Sequence, residues 1–230
     1  MLQLYHNMMD VPSRFARLCL AEAKAGAELT EMMPWARDEA FLLLNPAGTL
    51  PVLRENDGPP VCGAQVIAEY LDETRGYALG ERRLMPDHPN ERAETRRLMN
   101  WFLEKAVDDT AQYFIEEKIY KRLKGPSEGG GSPDSNILRA ARSNLRMHLQ
   151  YIGYLAERRN WLAGNRITYA DLAAGAMLSV IDYMGEVPWE KEPVVKDWYQ
   201  RIKSRPCFRP ILADSLKGIP AANHYMDLDF

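Results

Sequence analysis

Cysteine is scarce in this chain, with Cys19, Cys62 and Cys207 the three among 230 residues. An odd, widely spaced set excludes a disulfide framework as the main stabiliser and fits a reducing compartment. No Cys/His cluster has the spacing of a zinc site, so no metal is expected. His6, His88, His148 and His224 are scattered, with no partner at metal or triad spacing. No glycine-rich phosphate loop with its Lys and Ser/Thr is present. No apolar run approaches the roughly 18 residues a membrane helix needs, so no membrane insertion is expected. The opening Met1-Leu2-Gln3-Leu4-Tyr5-His6 has no basic region ahead of an apolar stretch. No signal peptide is therefore expected, and a cytoplasmic location is. A basic excess is also missing, since 29 Lys and Arg stand against 32 Asp and Glu for a net charge of −3. Proteins that coat nucleic acid usually carry such an excess, so that class is set aside.

What is present divides in two. In the first 80 residues, Leu2–His6 alternates as a strand does. Asp10-Val11-Pro12-Ser13 is a helix start, because Asp can cap free amides and Pro is tolerated in the first turn. Val11, Phe15, Leu18 and Cys19 then share one helical face. Leu29–Met33 is a second expected strand. Pro51–Arg54 and Pro60–Cys62 flank the turn signal Glu55-Asn56-Asp57-Gly58, as in a hairpin. Val66, Ile67, Tyr70 and Leu71 mark a further helix. Beyond residue 90 the strand signals vanish. Helical patterns run from Leu98 towards Leu123, from Leu138 to Ile152, from Leu172 to Val180, and from Val195 to Ile202. The Gly- and Ser-rich stretch from Gly125 to Pro133 joins the first two and is expected to be mobile.

Asn45-Pro46-Ala47-Gly48-Thr49-Leu50-Pro51-Val52-Leu53 carries the most information. It resembles the N-P-x-G-x-V-P-x-L segment of the cytosolic glutathione transferase superfamily. Pro12-Ser13-Arg14-Phe15-Ala16-Arg17, Leu84-Met85-Pro86, Arg205-Pro206 and Thr168-Tyr169-Ala170-Asp171 resemble other marks of that superfamily along nearly the whole chain. The resemblance implies an α/β thioredoxin-like N-terminal domain (1–80), a linker (81–90), an all-α C-terminal helical domain (91–212) and a tail (213–230). It implies a cis Pro51, with the backbone of Leu50 facing the cysteinyl part of glutathione. Thr168 and Asp171 have a physical reading of their own. Thr168 can accept from the N3 amide and Asp171 can return a bond to the Thr168 amide, a structural cap whose loss typically costs about 1 kcal/mol.

Two departures weaken the enzymatic reading. Superfamily members place Ser, Cys or Tyr near the first helix to hold the glutathione thiolate, and the Ser/Cys position falls here on Asp10. A carboxylate there disfavours thiol ionisation. Members also carry Glu-Ser ahead of the third helix to hold the γ-glutamyl end, and here those positions are Gly63 and Ala64. Lost hydrogen bonds to a charged group are worth about 1.5–3 kcal/mol each. Asp10, Leu50, Pro51, Gly63 and Ala64 thus mark a vestigial glutathione site with no catalytic residue assigned. Glutathione is expected as a ligand only under the alternative reading, an active transferase with a divergent site.

Other residues are candidates for contact with a partner. Lys118, Lys121, Arg122 and Lys124 form a basic helix end, which the helix dipole alone would favour. Trp35 is expected to be exposed in the loop after the second strand. The ending His224-Tyr225-Met226-Asp227-Leu228-Asp229-Phe230 alternates acidic and apolar residues, with Asp227, Leu228 and Phe230 as contacts. It is either a lid over the old cleft or a recognition peptide. Cys19 and Cys62 are expected to be buried structural thiols, and Cys207, after Arg205-Pro206, a structural one.

The length, Asp10, Gly63-Ala64 and the Asp227-Leu228-Asp229-Phe230 ending resemble the FtsZ-localised protein A group of alphaproteobacteria. That resemblance implies a non-catalytic homodimer at the division site. It would bind filaments of the tubulin-like GTPase FtsZ, bundle or curve them, and regulate constriction, with other division proteins as further partners.

Overall fold

In a computed structural model that describes residues 1–230, Leu2, Leu4 and His6 point inward along β1 (Leu2–His6) while Gln3 and Tyr5 lie half-buried. β1 pairs in parallel with β2 (Ala27–Glu31), Leu4 opposite Leu29. On its other side β1 pairs antiparallel with β3 (Val52–Glu55), which forms a hairpin with β4 (Val61–Cys62). The sheet order is β2-β1-β3-β4. Helices α1 (Val11–Glu22) and α3 (Ala64–Leu79) bury Phe15, Leu18, Ile67 and Leu71 in the core, and the short α2 (Glu39–Leu44) precedes β3. The second strand lies two residues earlier than Leu29–Met33. The ladder ends because Met32 N–H donates to the His6 carbonyl at 2.8 Å and the Asn7 amide then binds the Met32 carbonyl at 3.0 Å.

The helical part begins with α4 (residues 89–123). Its first stretch, Pro89–Asn100, starts well before Leu98. The early turns carry ion pairs in place of an apolar stripe, Arg96 with Glu69 and Arg97 with Glu94, so hydrophobic periodicity misses them. Three wider π-helical stretches follow, at Trp101–Lys105, Val107–Ala111 and Glu116–Tyr120. Then come α5 (Ser135–Arg158), α6 (Tyr169–Tyr183), α7 (Pro193–Lys203) and α8 (Arg209–Leu212). The Gly125–Pro133 connection, expected to be mobile, has a defined path. Gly130 N–H donates to the Gly125 carbonyl, Gly131 N–H to the Lys121 carbonyl, and Asp134 N–H to the buried Glu117 carboxylate at 2.6 Å.

Every residue of α6 is buried. Its start is capped by the residues the sequence implies. Thr168 Oγ1 accepts from Ala170 N–H, the N2 amide rather than N3, at 3.2 Å, and Asp171 Oδ2 accepts from Thr168 N–H at 2.9 Å. The other Asp171 oxygen accepts from Leu162 N–H and the Trp198 indole. Burial pushes the Asp171 carboxyl pKa up, and these bonds oppose that push.

Candidate functional site

The positions read from the sequence as a vestigial glutathione site lie at the start of α1, at the cis-proline turn and at the start of α3. Asp10 caps α1, its carboxylate accepting from Ser13 N–H at 2.8 Å. Burial pushes that carboxyl up to about 6, the Ser13 bonds pulling the other way. The Leu50–Pro51 bond is cis. Gly63 N–H donates to the Pro51 carbonyl at 3.0 Å, which ties the start of α3 to that turn. Gly63 takes φ +95°, a region open to glycine and strained for other residues. Neither Gly63 nor Ala64 offers a side-chain cap to α3. Gln65, the next residue along α3, donates to Glu104 on α4 at 3.1 Å.

Ser13, the hydroxyl residue at the start of α1, is buried, and its Oγ accepts from Asn7 N–H at 3.2 Å. Tyr5 donates its hydroxyl to Gln3 at 3.1 Å. His6 is buried, and desolvation together with the nearby Arg17 charge lowers its pKa to about 4. Cys62 is half-buried where a buried thiol is expected, and desolvation raises its pKa. Cys19 and Cys207 are buried, with thiols raised by the same effect. Such thiols are poor nucleophiles.

Leu50 opens onto a cleft of about 340 Å³ lined by Met32, Met33, Arg37, Phe41 and Leu42. Trp35, expected to be exposed, is half-buried. Its ring meets Tyr120 edge-to-face at 5.0 Å, with the Lys124 ammonium 5.1 Å from its centre. Tyr120 in turn donates to Asn7 Oδ1 at 3.4 Å. The loop after β2 is therefore pinned onto the end of α4, because an indole face and an ammonium attract.

The basic helix end is not an open cationic surface. Lys118 binds Glu186 at 2.7 Å and the Met184 carbonyl at 2.8 Å. Lys121 pairs with Glu117 at 2.6 Å and Lys124 with Glu116 at 2.8 Å. Acidic residues one and two turns back along α4 neutralise the cluster, and only Arg122 is exposed without an ion pair.

The tail does not cover the cleft. Tyr225 is fully buried against Tyr183 at 5.2 Å. The Phe230 ring packs on Trp189 and His224, and its carbonyl accepts from Gln200 at 3.1 Å. The tail thus lies over α6 and α7. Asp227 and Leu228 are exposed, whereas Phe230 is half-buried against the core.

Arg14, Arg17, Asp182, Lys203 and Asp214, to which the sequence assigns no packing role, organise this packing. Arg14 is fully buried and donates to Met8 O, Ser179 Oγ and the Tyr225 hydroxyl, all at 2.9 Å. Arg17 grips Asp214 through two bonds at 2.7 and 2.8 Å. These contacts bolt α1 to α6 and the tail. Asp182, also fully buried, accepts from Trp189 at 2.8 Å and lies 3.7 Å from Lys203. One signal was available for Arg14. It lies three residues after Val11 and four before Leu18, on the apolar face of α1.

The chain matches the glutathione S-transferase N-terminal domain over residues 13–74 and the glutathione S-transferase C-terminal domain over residues 121–206. It is 44% identical over 230 residues to FtsZ-localized protein A of Caulobacter vibrioides, covering 99% of this chain and 97% of that protein. A crystal structure of a glutathione S-transferase from Sinorhizobium meliloti superposes with a TM-score of 0.97 at 51% identity, covering all of both chains. The structure of FzlA from C. crescentus superposes with a TM-score of 0.91 at 43% identity, covering 100% of this chain and 99% of that one.

Proposed function

The chain belongs to the glutathione S-transferase family, and on that premise we propose that it is a non-catalytic member that binds FtsZ filaments. The observation that carries this reading is the similarity to FtsZ-localized protein A from end to end. The chemistry of the old site supports it. A carboxylate stands where a thiolate would need a donor, and two residues without polar side chains stand where a γ-glutamyl group would need partners.

The protein acts as a homodimer at the division site. Two symmetric copies of one weak site link or bend a polymer without any new contact type. Filament bundling or curving follows from that geometry, and through it control of constriction. Asp227 and Leu228 are the part of the tail free to touch a partner. Trp35 and Lys124 contribute through the shape they give the loop after β2, since both are engaged with Tyr120.

The alternative, an active transferase, is separated by one titration. Glutathione is added while the melting temperature is followed, and an aryl halide is offered as electrophile. The proposed function expects no saturable shift and no turnover. Saturable binding with turnover would establish the enzyme.

A further inference from the structure

β2 stands at one edge of the sheet, with β1 on one side and no strand on the other. Half of its amides and carbonyls therefore point away from the sheet. Edge strands are commonly blunted by Pro, by Lys or by a bulge. Ala27–Glu31 contains neither Pro nor Lys, and its five residues pair with β1 in unbroken register. What it carries is acid. Glu28 and Glu31 are exposed and form no ion pair.

The two faces of this edge differ. Leu29 lies opposite the buried Leu4, on the side where α1 packs. On that side Leu20, Ala21, Ala25, Ala27, Leu29 and Pro210 line a recess of about 180 Å³. Arg17 is its one charged wall, and Asp214 holds that guanidinium by bonds of 2.7 and 2.8 Å. The recess is thus apolar with its one charge neutralised. Leu29 is 46% exposed beside it. Glu28 and Thr30 point to the opposite face, because successive strand side chains alternate. There the Thr30 hydroxyl accepts from Gln3 at 3.1 Å, and Glu28 is left to solvent.

The acids decide which strand can pair here. Two antiparallel copies of β2 would set four glutamates along one seam, and like charges across strands destabilise. A strand with cations opposite Glu28 and Glu31 gains where a second copy loses. The other exposed cations nearby do not cancel this. Lys24 lies in the turn ahead of β2, at the end away from Glu31, and Arg209 on α8 does not line the recess.

We propose that β2 receives an extended basic-apolar segment of a partner protein as a fifth strand of the sheet. Antiparallel pairing is the more stable per residue. In that direction the segment sets one Lys or Arg opposite Glu31, an apolar side chain opposite Leu29 and over the recess, and a second Lys or Arg opposite Glu28. The motif reads cation, any residue, apolar, cation. Main-chain bonds to the open edge hold the segment, while the recess and the two acids choose its sequence. Pairing at β2 is independent of FtsZ binding.

The experiment uses full-length protein and a fluorescein-labelled, Thr-rich peptide that carries Lys-Thr-Leu-Lys. Anisotropy is read at low salt and at about 0.3 M salt, where binding weakens. Glu28→Lys with Glu31→Lys weakens binding by about tenfold or more, and a peptide with Glu in place of both Lys loses as much. Ser in place of the peptide Leu costs about fivefold. Two further peptides are N-methylated on alternate residues, so that each lacks the amide donors of one edge. One loses binding by about tenfold and the other by less than about twofold. Control reversals at the exposed Glu73 and Glu190 change affinity by less than about twofold. Should the double reversal unfold the protein, Glu28→Gln with Glu31→Gln replaces it, with a loss of about threefold expected. An equal loss in the control overturns the proposal, as does the absence of saturable binding. So do two N-methylated peptides that both bind as the parent peptide does, since side chains alone would then suffice. Self-association without peptide that Leu29→Lys abolishes in sedimentation would assign the edge to a second copy of this chain and overturn it too.

Discussion

The Lys203 ammonium lies 4.0 Å from the centre of the Phe230 ring, so the final residue of the chain covers a buried cation. Asp182 Oδ2 stands 3.7 Å away and the His224 carbonyl accepts from the same ammonium at 3.3 Å. Burial lowers the Lys203 pKa, and Asp182 pulls it back up. The tail is thereby fastened by an ion pair under an aromatic lid. Phe230→Ala should lose about 1–2 kcal/mol, the sum of an aromatic contact and a cation–π contact. Urea midpoints measure this, and earlier proteolytic trimming of the tail should accompany it. An unchanged midpoint would remove Phe230 from the fastening.

A second pair fastens the two parts of the chain. Asp214 receives two bonds from Arg17 and lies 3.7 Å from the fully buried Arg14. Asp214→Ala leaves both guanidinium groups without their carboxylate. Uncompensated buried charge costs about 3–5 kcal/mol. Denaturant unfolding should show a loss in that range. Loss below about 1 kcal/mol would mean that Ser179 and Tyr225 suffice for Arg14 and the Pro210 carbonyl for Arg17.

Asp10 gives a pH signature. Its folded pKa is raised to about 6 by burial, above the usual value near 4. Such a group favours the folded state fully below its unfolded pKa, and that contribution is lost as pH rises through 6. Asn caps a helix as well as Asp but carries no charge to desolvate. Asp10→Asn should therefore be more stable than the parent at pH 7.5, by roughly 1–3 kcal/mol. The difference should close by pH 4, where the parent's carboxyl is largely protonated. His6 works in the opposite sense. Its pKa is lowered to about 4, so folding loses stability as pH falls from 6.5 towards 4. For that reason the signature is read as the difference between variant and parent at each pH, in which His6 cancels.

Local signals made much of this fold legible. The alternation of β1, the Asp10 cap, the hairpin turn and the Thr168-Asp171 cap are each set by residues within one turn of each other. The cis Leu50–Pro51 bond came through resemblance. What stayed hidden depends on partners far apart in the chain. The basic end of α4 is adjacent in sequence, yet Lys118 finds its acid in Glu186 after 68 residues. Trp35 meets Tyr120, and Phe230 meets Trp189, across similar gaps that no periodicity reports. Arg14 and Arg17 belong to a family mark in the sequence, whereas their burial and their grip on Ser179, Asp214 and Tyr225 appear only in three dimensions.

Restoring polar atoms should restore ligand binding if the old site is merely eroded. Asp10→Ser with Ala64→Ser returns a thiol partner and a hydroxyl at the start of α3. Each hydrogen bond to a charged group adds about 1.5–3 kcal/mol. Glutathione should then raise the melting temperature of the double variant and leave the parent unmoved. An equal shift in both would show that the parent already binds glutathione without those groups.

Co-sedimentation with FtsZ from the same organism, with GTP and with GDP, reaches the central claim most directly. The protein should pellet saturably with polymer in GTP and stay in the supernatant in GDP, with no effect of added glutathione. Equal recovery in the supernatant under both nucleotides, at protein well above micromolar concentration, would contradict it.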